Sequence, residues 1–228
     1  PYNSLLCNDF AFLTVEDEPQ GEVAEAIAGI ERWDNTVAPD SRGGTLFEAW
    51  FRRYIARDSA NPGSSDERWE RAFRVPWTAA DPVATPRGLA NPARAVAAFA
   101  AAVEETRRAF GRWDVAWGEV HRVRIGDVDV PVGGCSGDIG CFRVLSYVRS
   151  PDGRLAAARG DAWVLAVEFL ADGPRAYSIL AYGESDDPAS PHHTDQAAMF
   201  ARGELKPVAF TEADIARQLV RRYRPEVP

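Results

Sequence analysis

The sequence has 228 residues, of which 46% are aliphatic or aromatic, so the chain is long and apolar enough to bury a core. Its 26 basic and 34 acidic residues give a net charge of −8 at pH 7, and the basic residues are arginines apart from Lys206. An acidic chain without a basic stripe is not expected to bind nucleic acid, and no apolar run approaches the ~18 residues that a membrane span needs.

The first part of the chain has the periodicity of amphipathic helices. Residues 1–15 form a short apolar segment, predicted as a strand or a loose arm, and lack the basic region of a signal peptide. Helices are predicted over residues 22–33 and 45–56, because apolar residues recur there every three or four positions. Their apolar faces contain Val23, Ile27, Ile30 and Trp33 in the first and Leu46, Phe47, Trp50, Phe51 and Tyr54 in the second.

A long third helix follows an irregular stretch. Residues 57–90 are rich in Pro, Asp and Arg, with a short helix expected at 66–73. Asn91 and Pro92 supply the cap and the first-turn proline of a helix that Gly111 ends. Its core-facing seam is predicted to contain Val96, Phe99, Val103, Thr106 and Phe110.

From Trp113 onward the apolar period changes to alternation, which predicts strands. Short turns join these strands, so an antiparallel meander is expected. Residues 163–170 are almost wholly apolar, and both faces of this strand are therefore expected to be covered. The predicted strands are 120–125, 128–132, 142–148, 163–170 and 177–182. Exposed cross-strand ion pairs are expected among Glu119, Arg122, Arg124, Asp127 and Asp129.

Two helices end the sequence. The first is predicted at 194–202, and a capping box of Thr211 and Asp214 opens the second, which runs through Arg222. The chain is thus helical over 20–111, β-rich over 113–182, and a loop with helices over 183–228. This order predicts an α+β fold, with antiparallel sheets and flanking helices, in a single fragment or domain of residues 1–228.

The loop at 182–196, YGESDDPASPHHTDQ, is the most distinctive polar stretch of the chain. Pro188 and Pro191 exclude a sheet interior, which favours a rigid, ordered loop. Its residues are interpreted as a structural motif: Tyr182, Gly183, Ser185, Pro188, Pro191, His192, Asp195 and Gln196. His192 and Asp195 are expected to brace it by hydrogen bonds, and loss of His192 is expected to cost about 1–3 kcal/mol by leaving a buried partner unpaired.

Two stretches of the sequence have an order of residues that is more specific than their pattern of apolar and polar positions. One is WDNTVAPDSRGGTLFEAW, at residues 33–50, and the other runs from the loop at 182–196 to Phe200, Lys206-Pro207 and Phe210-Thr211. Both resemble the C-terminal part of the β-chain of penicillin acylase-type hydrolases, a family that includes acyl-homoserine lactone acylases and aculeacin-type acylases. Members commonly have Gln where this chain has Glu184 and an aromatic residue where it has Leu205.

The resemblance implies an N-terminal-nucleophile (Ntn) fold with αββα layers and the hydrolysis of N-acyl amides without a cofactor. In that family a Ser or similar residue at the head of the β-chain is the nucleophile, and its own α-amine is the base. Position 1 here is Pro, and the matched region lies downstream of the family's oxyanion asparagine, so no catalytic residue is assigned. The chain is expected to be scaffold and pocket wall, with the remaining α- and β-segments of the acylase as partners, in the periplasm or outside the cell.

An alternative hypothesis is a non-catalytic, acylase-like module that binds or assembles. Without the rest of an acylase, sheet edges and apolar faces, such as the strand at 163–169, would be uncovered. The isolated chain is therefore expected to self-associate, most simply as a symmetric dimer.

The three cysteines leave several interpretations open. Cys135 and Cys141 bracket a glycine-rich run, and their spacing fits either a small disulfide loop or free thiols. Cys7 has apolar neighbours and is expected to be a buried free thiol.

Two other kinds of site were weighed against the structural interpretation of the loop. A cysteine nucleophile would need Cys135 or Cys141 to meet His121, His192 or His193 in space. A metal site of His192, His193 and Asp195 is disfavoured, because adjacent histidines point apart in an extended segment.

Overall fold

A computed structural model of the protein describes residues 20–56, 72–222 and 224. The chain divides into two compact units. The first consists of residues up to 123 together with 130–160, and the second of residues 124–129 together with those from 161 onward. Helices and small, mainly antiparallel sheets alternate along the sequence, which confirms the α+β class.

Within residues 20–56 and 72–123, which the structure describes, the first unit has α1 (Glu22–Glu31), α2 (Gly44–Ile55), α3 (Pro92–Phe110) and the single turn α4 (Trp117–Val120). The first three confirm the predicted helices to within two residues at each end. The side chain of Asn91 caps α3 by accepting a hydrogen bond from the Arg94 amide at 3.0 Å. Gly111, at φ 82°, ends α3 in the left-handed conformation that favours glycine.

The core of the first unit lies between α2 and α3. The apolar face of α2 is buried as predicted, and Trp50 donates a hydrogen bond from Nε1 to the Ala95 carbonyl at 2.9 Å. The predicted seam of α3 is correct at its three central positions but not at Val96 and Phe110, which are only half-buried. Alanines take their place, because small residues on α3 leave room for the large rings of α2. The buried residues of α3 are Ala95, Ala98, Phe99, Ala102, Val103 and Thr106.

The described strands before residue 161 lie in two sheets. The smaller pairs β1 (Phe73–Val75) with β2 (Arg87–Leu89) antiparallel. The larger has the order β4-β3-β6-β5 and is formed by β3 (His121–Ile125), β4 (Val128–Pro131), β5 (Leu145–Arg149) and β6 (Leu155–Gly160). The helix expected at 66–73 falls outside the described residues except for its end, where Ala72 is helical and Phe73 begins β1.

The larger sheet departs from the predicted meander at one pair of strands. β3 and β6 run parallel, with His121 opposite Leu155, whereas β5 and β6 are antiparallel. Alternation of apolar residues does not reveal this, because it is the same for both directions of pairing. β6 was not predicted, and the expected strand start at Phe142 is a fully exposed position before β5.

The charged residues near this sheet pair only partly as expected. Arg124 and Asp129 form the predicted pair between β3 and β4, at 3.1 Å. Glu119 instead lies 3.6 Å from Arg42, and Arg122 donates to the carbonyl of Gly118 at 3.0 Å.

The second unit is built on a three-stranded antiparallel sheet with the order β7-β8-β9. Its strands are β7 (Trp163–Leu170), β8 (Gly173–Leu180) and β9 (Lys206–Pro207), and its helices are α5 (Ala197–Arg202) and α6 (Glu212–Gln218). The predicted capping box is present, since the Thr211 hydroxyl accepts from the Asp214 amide and the Asp214 carboxylate accepts from the Thr211 amide, each at 3.1 Å. The last helix ends earlier than predicted.

The prediction that both faces of β7 are covered is wrong for this chain. Trp163 is 60% exposed and Phe169 is 87% exposed, and no position of the strand is fully buried. β7 lies at the edge of its sheet, and within the part of the chain that the structure describes nothing is stacked over its apolar row. A helix long and apolar enough to cross a bilayer does not occur among the described residues.

Cys135 and Cys141 form a disulfide, with Cα atoms 5.4 Å apart. The alternative of free thiols is therefore wrong for this pair, and Cys7 lies outside the described residues. Cys135 is fully buried, and its carbonyl accepts a hydrogen bond from the Leu145 amide at 2.9 Å, so the loop is anchored at the start of β5.

Reducing this disulfide is expected to lower the free energy of unfolding by about 2 kcal/mol, because it closes a short loop whose ends are six residues apart. Urea denaturation with and without a phosphine reductant measures the change. The double variant Cys135→Ala/Cys141→Ala is the control, and the reductant should not move its midpoint. An unchanged midpoint in the parent chain, with two thiols released on titration, would contradict the expectation.

Candidate functional site

The loop at 182–196 folds back tightly on its own backbone. The amides of Glu184 and Ser185 both donate to the carbonyl of His192, at 2.8 and 3.2 Å. Gly183 allows this approach, since a Cβ atom at that position would lie 2.1 Å from the His192 carbonyl oxygen. Among the motif residues, Gly183 therefore allows two backbone segments to approach each other closely.

Gln196 joins the loop to the elements on either side of it. Its side chain is buried, and its Oε1 accepts from the amide of Leu180, the last residue of β8, at 3.0 Å. Its Nε2 donates to the Glu184 carboxylate at 3.1 Å, and its own amide donates to the Tyr182 carbonyl at 2.9 Å. One buried amide side chain thus fixes the end of β8, the loop and the start of α5.

Glu184 is an ion-pair partner in this arrangement. Lys206 lies 3.0 Å from its carboxylate. The hydrogen bond from Lys206, followed by that from Gln196, holds the pKa of Glu184 below its usual value. The acid at this position is thus matched by the single lysine of the chain, which lies in β9.

The two histidines of the loop face different partners. His192 Nδ1 lies 2.9 Å from Asp195 Oδ2, and His193 Nδ1 lies 3.0 Å from the Ser185 carbonyl. Among the described residues no group of three His, Cys, Asp or Glu side chains is arranged to hold a metal ion. The His192 side chain is 69% exposed. The predicted loss of stability assumed that removing this histidine leaves a buried partner unpaired, so that prediction is wrong for an exposed pair.

Gln196→Ala is expected to cost about 2 kcal/mol of folding free energy, because it leaves the partly buried Leu180 amide without its acceptor. His192→Ala is the matched control in the same loop, and its exposed pair with Asp195 should contribute under about 1 kcal/mol. Urea unfolding of the two variants measures the difference. Equal losses would show that the histidine also braces the loop.

The turn before α2 is the second braced motif. Trp33 donates from Nε1 to the Thr36 carbonyl and to the Ser41 hydroxyl, both at 2.9 Å. The Asp34 carboxylate accepts from the Thr36 amide at 3.0 Å. Slight burial raises the pKa of Asp34, but hydrogen bonds from Thr36 and Ser41 outweigh it and hold that pKa below its usual value. Gly43, at φ 132°, packs against the Trp33 ring, where a Cβ atom would lie 2.5 Å away.

A buried ionisable cluster lies between α2, α4 and β5. His121 is fully buried, with Nε2 3.2 Å from the Glu48 carboxylate and Nδ1 3.1 Å from the Trp117 carbonyl. Its ring stacks on Trp117 with centroids 3.4 Å apart, and the Tyr147 ring meets it edge-on at 4.6 Å. We call Glu48, Trp117, His121 and Tyr147 the Glu48–His121 cluster.

The hydrogen bonds of the Glu48–His121 cluster determine its chemistry. Burial raises the pKa of Glu48, but His121 and Arg52, which is 2.8 Å away, outweigh burial, so the pKa lies below its usual value. Both ring nitrogens of His121 are engaged, Nε2 with the Glu48 carboxylate and Nδ1 with the Trp117 carbonyl. Burial raises the pKa of Tyr147, whose hydroxyl donates to the Gly134 carbonyl at 2.7 Å.

Glu48, His121 and Tyr147 of the Glu48–His121 cluster line a cavity of about 720 Å³ in the first unit. The walls are apolar at residues such as Ala49, Phe110 and Leu155, and arginines lie among them. Because both nitrogens of His121 already face partners within the protein, neither is directed at a nucleophile in this cavity. The cluster is suited to holding α2 against β3.

Glu48 was not singled out from the sequence, although one signal marks it. It is a carboxylate set between Phe47 and Trp50 on the apolar face of a helix. A charged residue in such a place needs a partner, and that partner, His121, lies 73 positions away.

The cysteine nucleophile considered from the sequence is excluded by the bond between Cys135 and Cys141, since neither sulfur is a thiol. His121 does not form a dyad with either cysteine, because the two nitrogens of its ring face Glu48 and the Trp117 carbonyl.

Glu48→Gln is expected to cost about 2 kcal/mol at neutral pH by removing the charge that His121 and Arg52 contact. The folded pKa of Glu48 lies below its usual value of 4.5, so its contribution is present above that pH and is lost as the pH falls through the folded pKa. Unfolding of both chains from pH 7 to pH 3 measures this.

Glu105→Gln provides the control, since Glu105 lines the same cavity but is 54% exposed in its pair with Arg53. It should cost under about 1 kcal/mol. If the gap between parent and Glu48→Gln stays constant down to pH 3, Glu48 is not held ionised by the cluster.

Comparison with known proteins places these motifs in context. A family model for penicillin amidase matches residues 2–217. The chain is 36% identical over 193 residues to the acyl-homoserine lactone acylase PvdQ of Pseudomonas fluorescens (strain Pf-5), a match that covers 82% of this chain and 23% of that protein. It is 28% identical over 214 residues to the aculeacin-A acylase of Actinoplanes utahensis, covering 92% of this chain and 25% of that protein.

A solved structure of a thermostable penicillin G acylase from Alcaligenes faecalis aligns with 99% of this chain and 46% of its own, at a TM-score of 0.48 and 13% identity. In length, the chain spans about a quarter of the curated relatives it matches.

Proposed function

Because the chain belongs to the penicillin amidase family, we propose that it forms scaffold and pocket wall of an amidohydrolase that cleaves N-acyl amides. The nucleophile of that enzyme lies on a segment outside these residues. The observation that carries the proposal is that the residues of both family-like motifs are engaged in holding the backbone. Gly183 and Gln196 do so in the loop, and Trp33 does so in the turn before α2.

The candidate catalytic groups of the chain support a scaffold role here and a nucleophile on another segment. Cys135 and Cys141 are joined in a disulfide. Both nitrogens of His121 contact protein partners, and His192 is exposed beside Asp195. None of these groups forms a nucleophile with a free base beside it, which is what hydrolysis of an amide requires.

The names of the relatives suggest the class of substrate. Acyl-homoserine lactone acylases and an aculeacin-A acylase are both named for removing an acyl group. We infer that the complete enzyme hydrolyses an acyl amide of this kind. Its partners are then the remaining segments of the same acylase, which make up most of the length of the relatives.

The disulfide supports a location outside the reducing cytosol. Structural disulfides persist in the periplasm and outside the cell, and cytosolic thiols are kept reduced. A buried Cys135 bonded to Cys141 in a loop anchored to β5 has the features of a structural bridge. Periplasmic or secreted is the location we propose for the enzyme.

Activity assays test the proposal directly. Residues 1–228 alone should not hydrolyse a chromogenic phenylacetyl or fatty-acyl amide above the buffer rate, whereas the whole natural gene product should. Gln196→Ala in the whole enzyme should lower the melting temperature while leaving kcat/KM of the folded fraction unchanged. Turnover by the isolated chain that Glu48→Gln abolishes, or an inactive whole gene product, would contradict the proposal.

A further inference from the structure

The cavity of about 720 Å³ in the first unit lies between two helices and a sheet. α2 supplies one wall, the C-terminal end of α3 a second, and β5 with the start of β6 a third. Small-molecule sites in proteins have volumes of about 300–1,000 Å³. The cavity is therefore of a size that suits a small organic ligand.

The wall of this cavity offers apolar surface at two depths. Val120 and Leu145 line it and are buried, so they belong to its inner end, beside the Glu48–His121 cluster. Phe110 and Leu155 line it further out and are half-buried. Phe110 is the large residue that the core between α2 and α3 leaves partly uncovered, and its ring contributes to the cavity wall instead.

Charged side chains also line the cavity, and most of them are paired with one another. Arg52 lies 2.8 Å from the Glu48 carboxylate, and Arg53 forms an ion pair with Glu105. Two arginines are thus matched by two carboxylates. These pairs leave little net charge on the side of the cavity that α2 and α3 provide.

Arg149, at the end of β5, is different. It is exposed, and its Nη1 donates to the Gly153 carbonyl at 2.9 Å. Within the part of the chain that the structure describes, it forms no ion pair, and its Nε and Nη2 make no hydrogen bond. With His121 left aside, the three arginines and two carboxylates of the lining therefore leave one positive charge unmatched, at Arg149.

We propose that this cavity binds an amphipathic monocarboxylate, an aliphatic or aryl acid whose carboxylate meets Arg149 and whose apolar body lies against Phe110 and Leu155. The Nε and Nη2 groups form one edge of the planar guanidinium, which matches the two oxygens of a carboxylate. The site goes beyond the proposed function, because holding an acid requires no nucleophile.

The carboxylates of the lining determine the charge and the orientation of the ligand. Glu48 lies at the inner end, where it repels a second anion, so the charged group of the ligand stays at Arg149. Glu48 and Glu105 together disfavour a dianion such as a phosphate monoester. A neutral molecule of the same shape gains nothing from Arg149. One negative charge on an apolar body is the combination that fits.

Photolabelling of the whole natural gene product tests the site. The probe is octanoate with a diazirine in its chain, and the labelled peptides are identified by mass spectrometry. Saturable label is expected on the peptides that contain residues 105–110 and 145–155. Unlabelled octanoate should compete at least about tenfold better than octanamide, which lacks the charge, acetate, which lacks the apolar body, or octyl phosphate, which has a second charge.

Two variants with a matched control locate the interaction. Arg149→Gln should raise the probe concentration for half-maximal labelling of these peptides about tenfold and remove the preference for octanoate over octanamide. Arg159→Gln is the control, because Arg159 is an exposed arginine of the same sheet that does not line the cavity. Ala109→Trp should also weaken labelling, since Ala109 is an exposed residue of the lining, where a larger side chain takes up the space of the ligand.

Label confined to other segments, or label that does not saturate, would overturn the inference. Equal competition by octanoate and octanamide would do so too, as would equal effects of Arg149→Gln and Arg159→Gln. Stronger competition by octyl phosphate than by octanoate would reject a carboxylate as the ligand. Hydrolysis of an acyl amide is measured separately, and labelling needs no turnover, so failure of the proposed function and failure of this site give different results.

Discussion

The packing of α2 on α3 is the contact on which the first unit depends. α2 buries a run of aromatic rings, and the alanines of α3 leave the space that those rings fill. The hydrogen bond from Trp50 to the Ala95 carbonyl fixes the helices along their axes. With α2 held in this way, Glu48 is directed at His121, and burial of the pair follows from the aromatic packing around it.

The polar features of the chain stabilise backbone geometry. In the loop, Gly183 allows two backbone segments to touch, and Gln196 accepts from the Leu180 amide at the end of β8 and donates to the Glu184 carboxylate. In the Glu48–His121 cluster, both histidine nitrogens are occupied. A histidine in this state adds order to a core but is unsuited to proton transfer. The physical chemistry of the sites therefore agrees with a scaffold within an acylase.

β7 has a different relation to the rest of its unit. Its composition is that of an interior strand, yet its side chains lie in water. The apolar pattern does not decide the burial of a strand, because burial depends on which elements pack against it.

The sequence by itself determined the features that depend on neighbouring residues. Asn91, Pro92 and Gly111 bound α3, and Thr211 with Asp214 opens α6, because caps act within one helical turn. The family resemblance likewise follows from the order of residues in two motifs. Periodicity alone could not reveal the direction of β3 against β6, the choice between thiols and a disulfide, or the partner of Glu48. Only the tertiary structure decided these, because each depends on the meeting in space of residues that local sequence preferences do not bring together.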